Sequence, residues 1–261
     1  MITREPENFA PPVNRFGEIG RELLMFCREV GRAALLLVQA LWAVRHIVRR
    51  RARAEIVLQM FTAGIKSLGV ITIVAVFTGM ILALQTGIEL RRFNQEVHIG
   101  TAVMVSMLRE MGPFMTGLIL AACVGSAMAA QLGTMTISEE IAALEIMSID
   151  PVRFLVMPRL VAMMVMTPVL SFYTCIMGVL GGGLVGATQL GVSWTAYIEN
   201  ATRFAENKDL YVGLLKALLF GMIITTVACH EGFATTHGAV SYTHLRAHET
   251  PEHLVCRLLL E

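Results

Sequence analysis

From Leu160 to Ile198 the chain carries no charged side chain at all. No other feature limits the fold so tightly, because that run is nearly twice the roughly 20 apolar residues needed to cross a bilayer. Ser67–Ile88 and Met111–Ser138 are also uncharged, and 210–229 is interrupted only by Lys216. Charged residues make up 16% of the sequence, against about 25% in an ordinary soluble domain. The chain therefore reads as an all-α integral membrane protein, with an N-terminal interfacial helix and a bundle of about four transmembrane helices. A formal net charge of +1 argues against nucleic acid as a partner.

The N-terminal region divides into three stretches. Residues 16–32 repeat apolar groups at helical spacing (Phe16, Ile19, Leu23, Phe26, Cys27, Val30), with Glu18, Arg21, Glu22, Arg28, Glu29 and Arg32 mostly opposite. Such a helix lies in the membrane interface with its apolar side down. The uncharged stretch 33–44 is too short to span and reads as a re-entrant or continuing interfacial segment. Arg45, Arg49, Arg50, Arg51 and Arg53 then form a basic block of the kind that marks the cytoplasmic side. With the N-terminus cytoplasmic, residues 1–53 form the first region. Spans follow within 57–88 and 99–135, from about Phe154, and over 210–229. Trp194 and Tyr197, beyond the third span, read as interface anchors.

Small residues stripe two spans: Gly178, Gly182 and Gly186 in one, and Gly125, Ala129 and Gly133 in the other. In lipid such ridges let helix backbones approach closely, so packing is their expected role. The five Cys lack paired spacing and the seventeen Met are scattered, so both read as apolar filler and not as a metal site. There is no phosphate-binding G-x-x-x-x-G-K-[ST]. "HEGFATTH" places Ala234 where a zinc protease helix needs its second His. No catalytic constellation and no metal or cofactor site emerges. Four charges do lie within apolar surroundings: Arg109 and Glu110 in "SMLREMGPFMTG", near a helix break expected at Pro113, and Asp209 and Lys216 in "KDLYVGLLKALLFG". Intramembrane charges pair or face a wet cavity. Asp209 and Lys216 stand two turns apart on one helix face, from which Lys216 can snorkel or reach Glu110 across the bundle.

An acidic segment, "TISEEIAALEIMSIDP" (136–151), interrupts the apolar runs. Thr136 with Glu139 fits a capping box and Asp150-Pro151 a stop, predicting a short helix over 137–149. Its apolar residues (Ile141, Leu144, Ile146, Met147, Ile149) leave more than one apolar side, as suits a helix clamped between its own bundle and a second protein.

The run "LREMGPFMTGLILAACVGSAMAAQLGTMTISEEIAALEIMSIDPVRFLVMPRLVA" (108–162), with "KDLYVGLLKALLFG" and "GFATTHGAV" later, resembles MlaE-type permeases, the membrane subunits of ABC lipid-transport systems. The resemblance covers about residues 15–240 and assigns 54–240 to the permease domain. It implies a homodimeric, non-enzymatic permease in the bacterial inner membrane. Its partners would be two cytoplasmic ATPase subunits, which hold the ATP and Mg, and a periplasmic MCE-domain lipid-binding protein, and its cargo phospholipid carried between inner and outer membranes. The acidic segment then corresponds to a coupling helix, with Glu139, Glu140, Ile141, Leu144, Glu145 and Met147 meeting the ATPase. Arg109, Glu110, Asp209 and Lys216 would line or brace the lipid path, and Leu, Val and Met side chains of the first two spans would hold acyl chains. Cys123 and Gln131 stand where the family has Arg and Glu, a paired neutralisation. The family continues past residue 240 with a fifth span, whereas 241–261 holds His244, His248 and His253 and no spanning run, and reads as a tail foreign to the family. The competing expectation is a membrane scaffold or assembly protein with no substrate path.

Overall fold

The computed structural model describes residues 15–46, 50–203 and 205–235; the expected tail 241–261 lies outside them. Every regular element among these residues is helical. Helix α1 (Arg15–Ala43) leads through a 3-10 turn toward α2 (Arg50–Gly64), and α3 (Leu68–Arg92) continues α2 after one more such turn. α4 (Ile99–Ser106), α5 (Gly112–Leu120) and α6 (Ser126–Ile137) form one run joined by two wide π turns. The short α7 (Glu140–Ile146) precedes the long α8 (Met157–Thr188), then α9 (Trp194–Arg203) and α10 (Asn207–Ala234). Four runs are long and apolar enough to cross a membrane: Arg53–Arg92, Glu96–Ile137, Val152–Thr188 and Asn207–Ala234.

Helix α8 is the hub, packing against α2, α3, α4, α5, α9 and α10. Its glycines make this possible. A Cβ added at Gly79 of α3 would lie 1.8 Å from the Gly178 carbonyl oxygen, and one at Gly181 would lie 2.4 Å from that of Val76. Backbone therefore meets backbone where α3 crosses α8, with no side chain between them. Gly182 and Gly186 receive a different neighbour, Tyr197 of α9, whose ring and hydroxyl fill the space above them. Tyr197 is fully buried and donates to the Val179 carbonyl at 3.1 Å. It is thus a wedge on the glycine ridge and not an interface anchor. Trp194 stacks on it at 6.2 Å and keeps part of its surface exposed. Burial pushes the Tyr197 phenol well above its ordinary pKa, so it remains a donor. In the second ridge, Gly125 faces Ile224 and Gly133 faces Thr235, both on or just after α10.

Three sequence expectations change. Residues 33–43 continue α1 without reversal, so they are not a re-entrant segment. There is no break at Pro113; the chain stays helical by widening into a π turn at Met107–Met111. The capping box of Thr136 and Glu139 does not form. The Thr136 hydroxyl donates to the carbonyls of Leu132 (2.8 Å) and Gly232 (3.2 Å), so α6 runs on through Ile137. Glu139 then turns the chain with φ of 59°, and α7 covers only Glu140–Ile146 within the expected 137–149. The stop comes from Ser148 (φ 58°), with the Ile149 amide bonded to the Leu144 carbonyl at 2.9 Å, a Schellman-type end. Asp150 instead accepts from the Val152 amide at 3.0 Å and so starts the next helical run.

Gly79→Leu should separate α3 from α8 and cost on the order of 3 kcal/mol. Gly20→Ala, where nothing lies within 4 Å, should leave stability unchanged or slightly raised. Unfolding midpoints of the two variants in detergent check this; a Gly79→Leu protein as stable as the parent would contradict the crossing.

Candidate functional site

Pro113 organises the polar centre. It has no N–H to give to the carbonyl four residues back, which belongs to Arg109. That orphan carbonyl accepts instead from the Lys216 ammonium of α10, at 3.1 Å. The same ammonium lies 2.5 Å from Glu110 Oε1. The π turn Met107–Met111 sets Arg109 and Glu110 side by side on the α10 side of this run, and Arg109 Nε donates to Asp209 Oδ1 at 2.6 Å. Asp209 and Lys216 share a face of α10, as their spacing requires. Two acids and two bases thus form one network between α10 and the π turn.

The network is asymmetric in burial. The Asp209 side chain is 5% exposed and that of Arg109 52%. Asp209 lies in the first turn of α10, where the helix dipole favours an anion. It holds the guanidinium by Nε, leaving the terminal nitrogens of Arg109 on the open side; Glu110 and Lys216 are open as well. The arrangement can meet a charged or zwitterionic group from outside the chain, and it contains no nucleophile activated by a base. No group of three or more metal-ligating side chains occurs among the described residues.

The acidic segment lies at the other end of the bundle. α10 rises about 1.5 Å per residue, from Asp209 beside the ion network to Gly232, whose carbonyl meets Thr136 near the start of the α7 turn. Glu139, Glu140 and Glu145 are exposed. Ile141 and Leu144 pack inward against the cluster of Leu132, Leu155, Leu160 and Cys229. Met147 and Ile146 point out, Ile146 with 85% of its surface exposed. Cys123 and Gln131 are both on the exposed side of their span.

Two polar contacts escaped the sequence reading. His230 Nε2 lies 3.0 Å from Glu29 of α1, tying α1 to α10 with the His of the discounted zinc motif. Arg159 is buried in α8 and donates to the Leu155 carbonyl at 2.8 Å, while its Nε is buried without a hydrogen-bond partner among the described residues. Their signals were a His and an Arg within apolar runs, and nothing in the spacing identified their neighbours. Cys27 is exposed, whereas Cys175 is buried and donates to the Met107 carbonyl at 3.2 Å.

Residues 56–245 match the family described as Permease MlaE. A probable ABC transporter permease protein of Rickettsia felis is 35% identical over 228 residues, covering 87% of each chain. The intermembrane phospholipid transport system permease protein MlaE of Haemophilus influenzae is 35% identical over 224 residues, 85% of this chain and 84% of that one. The chloroplastic protein TRIGALACTOSYLDIACYLGLYCEROL 1 of Arabidopsis thaliana is 32% identical over 181 residues, 69% of this chain and 52% of its own length.

Arg109→Met alone should lower the unfolding midpoint more than Arg109→Met combined with Asp209→Leu, because the single change strands a buried carboxylate. Thermal unfolding of both in detergent tests this, and a double variant no more stable than the single one would mean that Asp209 does not depend on Arg109. The chain belongs to the MlaE permease family.

Proposed function

We propose that this MlaE-family permease is the membrane subunit of an ABC system that moves phospholipid between the inner and outer membranes. It would lie in the inner membrane with its N-terminus cytoplasmic, paired with a second copy of itself. Two cytoplasmic ATPase subunits would supply ATP hydrolysis, and a periplasmic MCE-domain protein would hand lipid on or receive it. The observation that carries this reading is one bundle with two chemically different ends: an open ion network at the head of α10, and an exposed acidic helix, α7, at its foot.

On this reading Glu139, Glu140 and Glu145 meet basic or amide groups of the ATPase, with Met147 and Ile146 as apolar contacts. Ile141 and Leu144 pass the resulting push to the ends of α6, α8 and α10, against which they already pack. Arg109, Glu110, Asp209 and Lys216 line or brace the lipid path. The outward faces of α3 (Ile73, Phe77, Ile81) and α5 (Phe114, Leu118) expose large apolar side chains. They are suited to acyl chains or to the second copy, and a twofold pair is the commonest way to enclose such a path. ATPase closure would then alternate the dimer between states that admit and release lipid.

Co-purification with the ATPase encoded beside it is the direct test. Glu139→Lys with Glu140→Lys and Glu145→Lys should abolish the complex while the permease stays folded. Lys216→Met should keep the complex and ATP hydrolysis but cut lipid transfer between donor and acceptor vesicles by tenfold or more, roughly the loss of one 1.4 kcal/mol interaction. An intact complex in the triple variant would return the protein to the scaffold reading.

A further inference from the structure

Helix α1 has three differently equipped sides. One faces the bundle, where Leu36, Leu37 and Ala40 pack on the Leu132–Leu155–Cys229 cluster and Glu29 meets His230 of α10. The side turned away is apolar and bare: Leu24, Leu35, Val38 and Trp42 recur at spacings of 11, 3 and 4 residues and are 60–73% exposed. Toward the N-terminal end the expected stripe of Leu23, Phe26 and Val30, 52–66% exposed, extends this bare surface on the flank opposite the arginines. Between these sides runs a basic flank, Arg21, Arg28 and Arg32, spaced by 7 and 4 residues and all exposed. The two acids with described side chains on α1 are Glu22 and Glu29, and Glu29 is already engaged by Arg32 at 3.0 Å and by His230 at 3.0 Å. At the end of the helix the Arg45 guanidinium lies 5.4 Å from the centre of the Trp42 ring, so a cation is held at the level where an interfacial Trp sits. Arg53, exposed, follows one turn into α2.

From this arrangement we infer that α1 with Arg45 is a binding surface for anionic lipid headgroups: Trp42, Val38, Leu35 and Leu24 enter the acyl boundary, while Arg21, Arg28 and Arg45 hold phosphates of negatively charged lipids beside it. The apolar side alone would seat the helix in any bilayer, and it is the excess of unengaged arginine along its border that selects charge. Long arginine side chains reach the headgroup level while their stems stay on the apolar surface. Each basic residue at an anionic surface is worth about fivefold in local lipid preference, and the effect fades within a Debye length. A protein partner laid along the bare side would need polar groups matched to this flank; a leaflet of anionic lipid supplies them without a specific sequence. The surface is separate from the ion network of Arg109 and Asp209, and the bundle side of α1 shares its apolar cluster with Ile141 and Leu144 of α7.

The chain has two tryptophans, Trp42 and Trp194, so Trp194→Phe leaves Trp42 as the sole reporter. The full-length Trp194→Phe protein is reconstituted into phosphatidylcholine vesicles containing 30% phosphatidylglycerol, with bromines on the acyl chains of one lipid or the other. Bromine on phosphatidylglycerol should quench Trp42 several-fold more per mole than bromine on phosphatidylcholine. The preference should disappear in Arg21→Gln/Arg28→Gln/Arg45→Gln and shrink as salt rises from 0.05 to 0.5 M. Equal quenching by the two lipids, or a preference that survives the triple substitution, overturns the inference. Absence of quenching by either lipid overturns it as well, and would leave the bare side of α1 to a protein.

Discussion

A polar group stranded in hydrocarbon costs several kcal/mol, and this bundle is arranged around one such group. Pro113 deprives the Arg109 carbonyl of its helical partner, and Lys216 takes the vacancy. The contact joins α10 to the second span beside a close backbone approach, where a Cβ at Gly213 would lie 2.1 Å from the Leu108 carbonyl oxygen. Asp209, two turns earlier on the same face, then comes level with Arg109, and Glu110 with the ammonium. The widened turn at Met107–Met111 is the local adjustment that lets a helix carry a proline and two charges without breaking. The same pairing recurs where α8 begins, with a π turn at Val152–Val156 just ahead of Pro158.

Much of this was legible in the sequence. Uncharged length alone located four spans, since a bilayer demands it, and the seven-residue spacing of Asp209 and Lys216 put both on one face. Lys216 reaching Glu110 was one of two open possibilities, and the geometry brings them together. The partner of Arg109 was not legible, because spacing within a helix says nothing about which residue of another helix stands opposite. Gly79 was legible but was not singled out: Ala75, Gly79, Ala83 and Gly87 recur every four residues along the buried face of α3, and Gly79 makes the tightest crossing. Tyr197 was misread because an aromatic at the end of an apolar run looks the same whether it faces lipid or a row of glycines.

The short helix shows why local signals fail where tertiary contacts compete. Thr136 and Glu139 have the spacing of a capping box, but the Thr136 hydroxyl has a better offer from the carbonyls of Leu132 and Gly232. A cap needs a backbone that has already left the helix, and here α6 is still helical through Ile137 with the hydroxyl engaged by carbonyls behind and beside it. The start of α7 passes to Glu139 in a left-handed conformation, which a non-glycine residue adopts only when its surroundings enforce it.

That enforcement bears on how the two ends of α10 are held. The Thr136–Gly232 contact ties the α7 turn to the foot of α10, and a Cβ at Gly232 would lie 2.6 Å from Leu132, so no slack separates the helices there. At the head of α10 the ion pairs are equally close. A helix clamped at both ends transmits displacement as a rigid rod, and flexibility must reside in its neighbours. The second span is that neighbour, with π turns at Met107–Met111 and Ala121–Gly125 dividing it into three straight pieces. Movement of α7 would therefore be taken up by re-winding these turns against a fixed α10. The first of them carries Arg109 and Glu110, so any such re-winding changes the geometry of the ion network.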